Sequence, residues 1–212
     1  MCRIIAIKTE QPEDNNERLR LFSEMCKNSK EYQGHGWGLA WLERGEWKEH
    51  HSIIPIWEDN LPTIPKTTRL LVHARSAFQN KDIILENTMP FTNTKKKRVF
   101  IFNGELRGVR INIEGRIGAE KIFNYIQKLS RENLLEGIKK AVPIIEKKSS
   151  YIRAMNMIIA EEERLYLSTI YNEQPEYFTM HKYEENEIII VCSEPIDNKK
   201  WIGIDNNIIE EI

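Results

Sequence analysis

The chain opens with "MCRIIAI" (residues 1–7), in which a cysteine stands directly behind the initiator methionine and ahead of a short apolar run. Runs of this kind, rich in β-branched residues, are typical of buried strands, so the segment predicts a buried first strand. Cys2 then has two interpretations. It is either a small buried residue that opens the strand, or a residue that acquires a free α-amino group once Met1 is removed.

The second interpretation would place a nucleophile and a base on one residue. Cysteine attacks as the thiolate, and with a pKa of about 8.5 only a small fraction of it is ionised at neutral pH. An α-amino group titrates at about 7.7–8.0, so an N-terminal Cys2 could pass its thiol proton to its own amine, directly or through a water molecule. The segment therefore predicts nucleophilic chemistry at Cys2 if Met1 is lost.

Length and composition indicate an ordinary globular chain. Its 212 residues suffice for one substantial core, and no repeat or linker divides them, so we expect a single domain over residues 1–212. A net charge of −1 argues against a nucleic-acid or anionic-membrane partner. The start turns acidic too early for a signal peptide, and no apolar run approaches the roughly 18 residues of a membrane span. Three cysteines without CxxC spacing suggest neither a disulfide framework nor a metal site, so we expect a cytoplasmic protein.

Hydrophobic periodicity predicts a mixed α+β fold. Strands are predicted at "CRIIAI", at the two arms of "GWGLAWLERGEWKEHHS" joined by a turn at "ERGE", at "RLLVHAR" and at "KRVFIFNG". Helices are predicted at "NNERLRLFSEMCKNS", around Ile122 and Ile126, and around Leu134 and Ile138, with Ser130 as the N-cap of the last. Four more strand-like runs follow, "YIRAMNMIIAEE", "RLYLSTIY", "EYFTMHKYE" and "NEIIIVCSE". This order favours sheets covered by helices on their outer faces.

Three segments end in residues that could do chemistry. In "FNGEL", Asn103 and Gly104 offer a side-chain amide and an uncrowded backbone N–H to an oxyanion, although Asn-Gly is also the favoured pair of a tight hairpin turn. In "LLVHARSAF", Arg75 could bind a carboxylate or form a surface ion pair, and His73 on the same strand face is a ligand contact or a core histidine. In "GHGWGLAW", glycines around Trp37 allow close approach of a ligand or a tight start to a strand.

Two further signals have simple interpretations. The adjacent pair His50 and His51 does not predict a metal site, because neighbouring strand residues point to opposite faces. The basic run "TKKKR" (residues 94–98) is short, so we expect a solvated hairpin loop rather than a nucleic-acid contact.

The motifs form an ordered set. Cys2 is followed by "GWG", "VHAR", "NTMPF" (87–91), "FNG" and, ahead of Trp201, "SEP". In this order they resemble the class II glutamine amidotransferases, which are N-terminal nucleophile hydrolases, and most of all the branch whose chains consist of the glutaminase domain alone. The resemblance runs from Cys2 to about Trp201. It implies a four-layer α/β/β/α sandwich.

The resemblance also implies roles for single residues. Cys2 would attack the γ-amide of glutamine or a related γ-glutamyl compound, release ammonia or an amine, and leave a thioester for water to hydrolyse. Asn103 and Gly104 would form the oxyanion hole. Arg75 would hold the α-carboxylate, with His73 and Trp37 as further candidate substrate-binding residues. No cofactor is implied, and any synthase that accepts the ammonia would be a separate polypeptide.

One position departs from the family pattern. The stretch "GRIGAE" (115–120) puts Gly118 where the family has an aspartate that holds the substrate's α-amino group. Another acid then serves, or the substrate lacks that amine, or activity is lost. Two alternatives to a glutaminase therefore stay open: a catalytically degenerate relative that acts as a binding or regulatory module, and an N-terminal nucleophile amidase for a different acyl group.

Overall fold

The computed structural model describes residues 1–95, 97–130 and 133–212. The strands in these residues are β1 (Arg3–Glu13), β2 (Trp37–Glu43), β3 (Glu46–Ser52), β4 (Thr67–Ala74), β5 (Phe91–Thr92), β6 (Val99–Arg107), β7 (Tyr151–Ala160), β8 (Leu165–Thr169), β9 (His181–Glu185), β10 (Ile188–Cys192), β11 (Ile202–Gly203) and β12 (Ile208–Glu211). The α-helices are α1 (Asn16–Lys27), α2 (Gly118–Leu129), α3 (Leu134–Lys148) and α4 (Pro175–Phe178).

The strands form two antiparallel sheets. The first has the order β11-β9-β10-β1-β4-β2-β3, and the second has the order β12-β8-β7-β6-β5. The apolar first strand lies in the middle of the first sheet, where Ile5 is paired with Cys192 of β10 on one side and Val72 of β4 on the other. A strand that is covered on both faces reads as a near-continuous apolar run, which explains "RIIAI".

Side chains of β1 alternate between two cores. Ile5 and Ile7 pack with Leu19 and Phe22 of α1 on the outer face of the first sheet. The residues between them face the second sheet, in a cluster that includes Ile4, Ala6, Leu71, Ile101 and Ile158. The outer face of the second sheet packs on α2 and α3, through residues that include Phe100, Ile122, Ile126, Ile138 and Ala141. The layers are therefore α/β/β/α, which confirms the predicted architecture.

Most of the predicted elements are present. The turn at "ERGE" joins β2 to β3 through Arg44 and Gly45, both at positive φ. The "TKKKR" run lies between the paired strands β5 and β6, and the Asn93 N–H donates to the Arg98 carbonyl at 3.1 Å. Lys96, in the middle of that run, lies outside the described residues.

The prediction that Ser130 is the N-cap of α3 is wrong. Its hydroxyl donates to the Ile126 carbonyl at 2.6 Å, so Ser130 ends α2 instead of starting the next helix. The N-cap of α3 is Asn133, whose side-chain oxygen accepts the Glu136 N–H at 3.1 Å. A serine can bond back to the carbonyl four residues earlier as readily as it can cap the following helix.

Two strand boundaries differ from expectation. The run "EYFTMHKYE" is not one strand, because Pro175 begins the short helix α4 and β9 starts only at His181. The hairpin alternative for "FNG" is also wrong. β6 continues through Asn103 and Gly104, which are paired with Asn156 and Met155 of β7.

Each helix in the described part of the chain is too short or too polar to cross a lipid bilayer.

Candidate active site

A cavity of about 580 Å³ opens where the start of β1, the end of β4, the middle of β6 and the N-terminus of α2 meet. This volume is in the usual range for small-molecule sites. Cys2, Arg75, Gly104 and Gly118 all line it. Its other lining residues are Ser76, Ala77, Phe78, Lys81, Asp82, Met89, Phe102, Glu105, Leu106, Arg107, Val109, Ile117, Ala119 and Ile122.

The Cys2 thiol is buried and lines this cavity. Its sulfur accepts the Ser76 N–H at 3.3 Å, which fixes the side chain against the segment that follows β4. Burial raises the pKa of the thiol above its ordinary value, whereas the terminal ammonium, the Ser76 N–H and the Arg75 guanidinium act in the opposite direction. The thiol therefore needs a base to ionise at neutral pH.

With Met1 in place, the terminal amine belongs to Met1 and not to Cys2. That amine pairs with the Glu31 carboxylate. The Met1 carbonyl, one bond from the Cys2 nitrogen, accepts the Tyr177 hydroxyl at 2.9 Å and the Gln33 amide at 3.1 Å. Polar groups thus surround the point at which a free Cys2 amine would appear.

The backbone of Arg75 is fixed by hydrogen bonds, whereas its side chain lacks a full set of partners. Its N–H donates to the Gly36 carbonyl at 2.8 Å, and its carbonyl accepts the His35 N–H at 3.0 Å. The side chain is buried, and Nη1 has no hydrogen-bond partner among the described residues. Burial lowers the pKa of the guanidinium, which nevertheless stays charged at any pH the protein meets. A buried cation without a full set of partners is suited to an anionic ligand.

Gly104 lies where the backbones of β6 and β7 are closest. A Cβ at this position would come within 2.1 Å of the Ala154 carbonyl oxygen, so only glycine fits. A register shift follows directly, between Glu105 and Leu106. Such irregularities commonly re-aim strand residues next to a site.

Asn103 occupies the opposite face of β6, which it shares with Ile101 of the core between the sheets. Its side chain is fully buried, and neither its amide nitrogen nor its oxygen has a hydrogen-bond partner among the described residues. Leaving a buried amide unpaired costs about 1–3 kcal/mol, so the amide requires an explanation. Asn103 is not among the residues that line the cavity, and its role in an oxyanion hole stays a prediction.

Gly118 begins α2 at the wall of the cavity. Nothing lies within 4 Å of the place where a Cβ would be, so a larger side chain would fit there. Ile117, the N-cap residue, provides no side-chain hydrogen bond to the first turn. The open helix end carries partial positive charge towards the cavity.

His73 and Trp37 do not line the cavity. His73 is fully buried on the face of β4 that it shares with Leu71, between the sheets. Burial, reinforced by the positive charge of Arg75, lowers its pKa to about 3, so the imidazole is neutral. Trp37 packs in the outer core of the first sheet, and its indole N–H donates to Asp59 at 2.9 Å. Their roles in substrate binding stay predictions without support from these positions.

Two residues that position the site were not found from the sequence. Ser76 supplies the N–H to the Cys2 sulfur, and the His35 ring accepts the Ala77 N–H at 2.9 Å. Both contacts use a backbone group on the segment after Arg75, and backbone donors leave no signal in residue types. Elsewhere in the described residues, no cluster of three His, Cys, Asp or Glu side chains is arranged to hold a metal ion.

Comparison of the sequence with protein-family models and with curated proteins finds no match. Comparison of the structure with solved structures finds similar folds. A "predicted glutamine amidotransferase" from Pseudomonas aeruginosa PA01 superimposes with a TM-score of 0.63 at 16% identity, over 99% of this chain and 96% of that one. A glutamine aminotransferase class-II domain protein from Silicibacter pomeroyi gives 0.59 at 15% identity, over 97% and 92% of the two chains.

A larger enzyme contains the same arrangement. Glutamine phosphoribosylpyrophosphate amidotransferase from B. subtilis, solved with ADP and GMP, gives a TM-score of 0.63 at 14% identity over 91% of this chain. The present chain spans only 42% of that enzyme's length. The chain therefore shares the fold of these glutamine amidotransferase structures, with two antiparallel sheets between helical layers.

Proposed function

We propose that this protein is an amidohydrolase that cleaves the side-chain amide of glutamine or a related γ-glutamyl compound, with Cys2 as its nucleophile after removal of Met1. The observation that carries the proposal is the meeting of Cys2, Arg75 and Gly104, from three separate elements, around one cavity. A nucleophile, an anion-binding cation and an uncrowded backbone N–H are the parts that hydrolysis of a carboxylate-bearing amide requires.

The reaction starts with transfer of the thiol proton to the new α-amine of Cys2. The thiolate then attacks the amide carbonyl carbon, and the carbonyl oxygen becomes an oxyanion. When the C–N bond breaks, the ammonium of Cys2 returns the proton to the leaving nitrogen, and a thioester remains. Water, deprotonated by the same amine, attacks the thioester and releases the carboxylic acid and the thiol.

Asn103 and Gly104 are the proposed oxyanion donors. The Asn103 side chain is not part of the cavity lining, so its role rests on the family resemblance, together with a buried amide that has no hydrogen-bond partner among the described residues. The backbone N–H of Gly104 is the second donor. One such donor typically contributes about 2.7–4 kcal/mol of transition-state stabilisation.

Arg75 is the proposed carboxylate site. A guanidinium binds a carboxylate through two parallel hydrogen bonds, and burial strengthens both of them. Ammonia released at Cys2 would be passed to a separate synthase, if one is served, and we expect the reaction to occur in the cytoplasm.

The test is amide hydrolysis by the Met1-free protein, followed as release of ammonia from L-glutamine and of amine from γ-glutamyl anilides. We expect turnover by the wild type and none by Cys2→Ala. Cys26→Ala is the matched control, because Cys26 is also buried but belongs to α1 and packs in the outer core of the first sheet. We expect it to retain activity.

Two other results would contradict the proposal. Turnover that survives Cys2→Ala would assign the chemistry to another residue. Binding of a γ-glutamyl ligand without any turnover would instead make the protein a binding module.

A further inference from the structure

We propose that the cavity selects amides whose acyl chain ends in a carboxylate and has no ammonium beside it, so that glutaryl amides are better substrates than γ-glutamyl amides. This inference rests on the proposed Cys2-dependent amide hydrolysis and changes the preferred acyl group from γ-glutamyl to glutaryl. It follows from the balance of charge around the cavity and from the chemistry of the cavity wall.

The positively charged groups at the cavity favour binding of an anion. Arg75 is buried with Nη1 unpaired, and Gly118 and Ala119 bring the start of α2, where Ile117 makes no side-chain capping bond, to the same cavity. The first-turn N–H groups of a helix and its dipole favour a negative charge and disfavour a positive one. A carboxylate therefore has partners here. The acid in the first turn of α2, Glu120, is paired with Arg116 at 2.7 Å and does not line the cavity, so it offers no free carboxylate to an ammonium.

The acidic residues that line the cavity offer no free, buried carboxylate to an ammonium. Glu105 lines the cavity but is already bonded to Arg107, at 2.7 Å, and lies 3.8 Å from Arg153. Asp82 is exposed on the loop after β4, where its charge interacts with Arg75 and is screened by water. Among the described residues that line the cavity, these are the two acids, against the three cations Arg75, Lys81 and Arg107.

The rest of the wall is apolar. Half of the lining residues have apolar side chains, among them Phe78, Met89, Phe102 and Leu106. An ammonium that leaves water for such surroundings without a carboxylate partner carries a large desolvation cost. A methylene group at the same place carries none.

Removing the α-amine from the substrate changes no step of the chemistry. The Cys2 thiolate still forms the bond to the carbonyl carbon, the C–N bond still breaks, and the leaving nitrogen still takes its proton from the Cys2 ammonium. Water then releases glutarate instead of glutamate. The selectivity therefore arises in binding and orientation of the acyl group.

The test compares kcat/KM of the Met1-free protein for three p-nitroanilides, glutaryl, L-γ-glutamyl and pentanoyl, and for the matching primary amides. We expect the glutaryl compound to exceed the γ-glutamyl compound by about tenfold or more, from the unpaired ammonium. We also expect it to exceed the pentanoyl compound by about tenfold or more, since that compound offers nothing to Arg75.

Gly118→Asp tests the cause. The position has room, so the variant adds a carboxylate to the cavity at the helix end, where an acid is also favourable. We expect the γ-glutamyl to glutaryl ratio to rise about tenfold or more through the new ion pair. Gly118→Asn has the same shape without the charge, and we expect its ratio to stay at the wild-type value.

The outcomes separate this inference from the proposed function. Hydrolysis of γ-glutamyl compounds as fast as glutaryl compounds, or an unchanged ratio in Gly118→Asp, overturns the inference and leaves the amidohydrolase in place. Absence of Cys2-dependent hydrolysis of all the anilides and primary amides overturns both.

Discussion

At the scale of single residues, the environment of Arg75 is the one that most directly indicates a ligand. Its guanidinium is buried with one nitrogen unpaired, whereas most arginines on the described surface form ion pairs, such as Arg20 with Glu17 and Glu24. A structural arginine would stabilise the free protein. An arginine kept for a substrate carboxylate leaves the free protein with an unrelieved desolvation cost.

We predict opposite effects of Arg75→Gln on activity and on stability. Loss of the charged contact should lower kcat/KM about 10- to 100-fold, mostly through KM, since a hydrogen bond to a charged group contributes about 1.5–3 kcal/mol. The melting temperature should stay unchanged or rise, because a buried cation is removed. Thermal unfolding and steady-state kinetics on the same preparation measure both. A destabilised variant with full activity would show that Arg75 is structural.

His73 makes a separate prediction about pH. Burial lowers its pKa from 6.5 to about 3, so between these values the unfolded state binds more protons than the folded state. The stability that neutral His73 contributes is complete above pH 6.5 and is lost as the pH falls towards 3. The free energy of unfolding should therefore drop with acidity, by up to about 1.4 kcal/mol per pH unit from this one group.

The measurement is urea unfolding of the wild type and of His73→Gln at pH 7, 6, 5 and 4. The other histidines with lowered pKa values, His35, His50 and His181, are present in both proteins and cancel in the difference. The wild-type curve should fall more steeply. Parallel curves would contradict burial of a neutral imidazole.

Cys2, Arg75 and Gly104 could be selected from the sequence as candidate site residues, because a thiol, a guanidinium and a glycine backbone each have a recognisable chemical use. The sequence did not reveal that Asn103, His73 and Trp37 are not part of the cavity lining. Strand periodicity places a residue on a face, but it does not say whether that face meets a cavity or a packed core. The Ser76 N–H was also out of reach, since every residue except proline has one.

At the scale of elements, two glycines on the cavity wall have different reasons to be glycine. Gly104 in β6 touches the Ala154 backbone of β7, and a Cβ there would displace one strand from the other. Gly118 at the start of α2 faces open space. The pairing of β6 with β7 therefore requires glycine at position 104, whereas the structure would accept a larger side chain at position 118.

We predict that Gly104→Ala unfolds at a clearly lower temperature and loses hydrolysis, because the Ala154 carbonyl cannot move without breaking the β6–β7 pairing. Gly118→Ala should unfold at the wild-type temperature or slightly above it, since alanine is a better helix former by up to about 1 kcal/mol. Differential scanning calorimetry on the pair checks this. Equal melting temperatures for the two variants would contradict the assigned close approach.

The sequence predicted the boundary of an element correctly where its residues favour one local structure. The "ERGE" turn has its two positive-φ residues as predicted. The errors fell where one residue type has two uses. Ser130 closes α2 with its hydroxyl instead of capping α3, and Asn103 and Gly104 continue a strand instead of turning it.

At the scale of the whole molecule, the order of apolar runs predicted sheets covered by helices, and the four-layer α/β/β/α arrangement was predicted from the family resemblance. A buried β1 requires neighbours on both sides and cover on both faces, and β10, β4, α1 and the second sheet provide them. The short strands β5, β11 and β12 were not predicted, since two to four residues carry too little periodicity. Their pairing is decided by the sheets to which they attach.

The proposed chemistry requires Cys2 to be the first residue of the working protein. The most direct measurement is the intact mass of the purified protein, before and after incubation with electrophilic diazoketone analogues of glutamine and of its deaminated form, with Cys2→Ala in parallel. We predict a starting mass that lacks one methionine and a single adduct that Cys2→Ala does not form. A mass that retains Met1, with no adduct from either reagent, would contradict the proposed nucleophile.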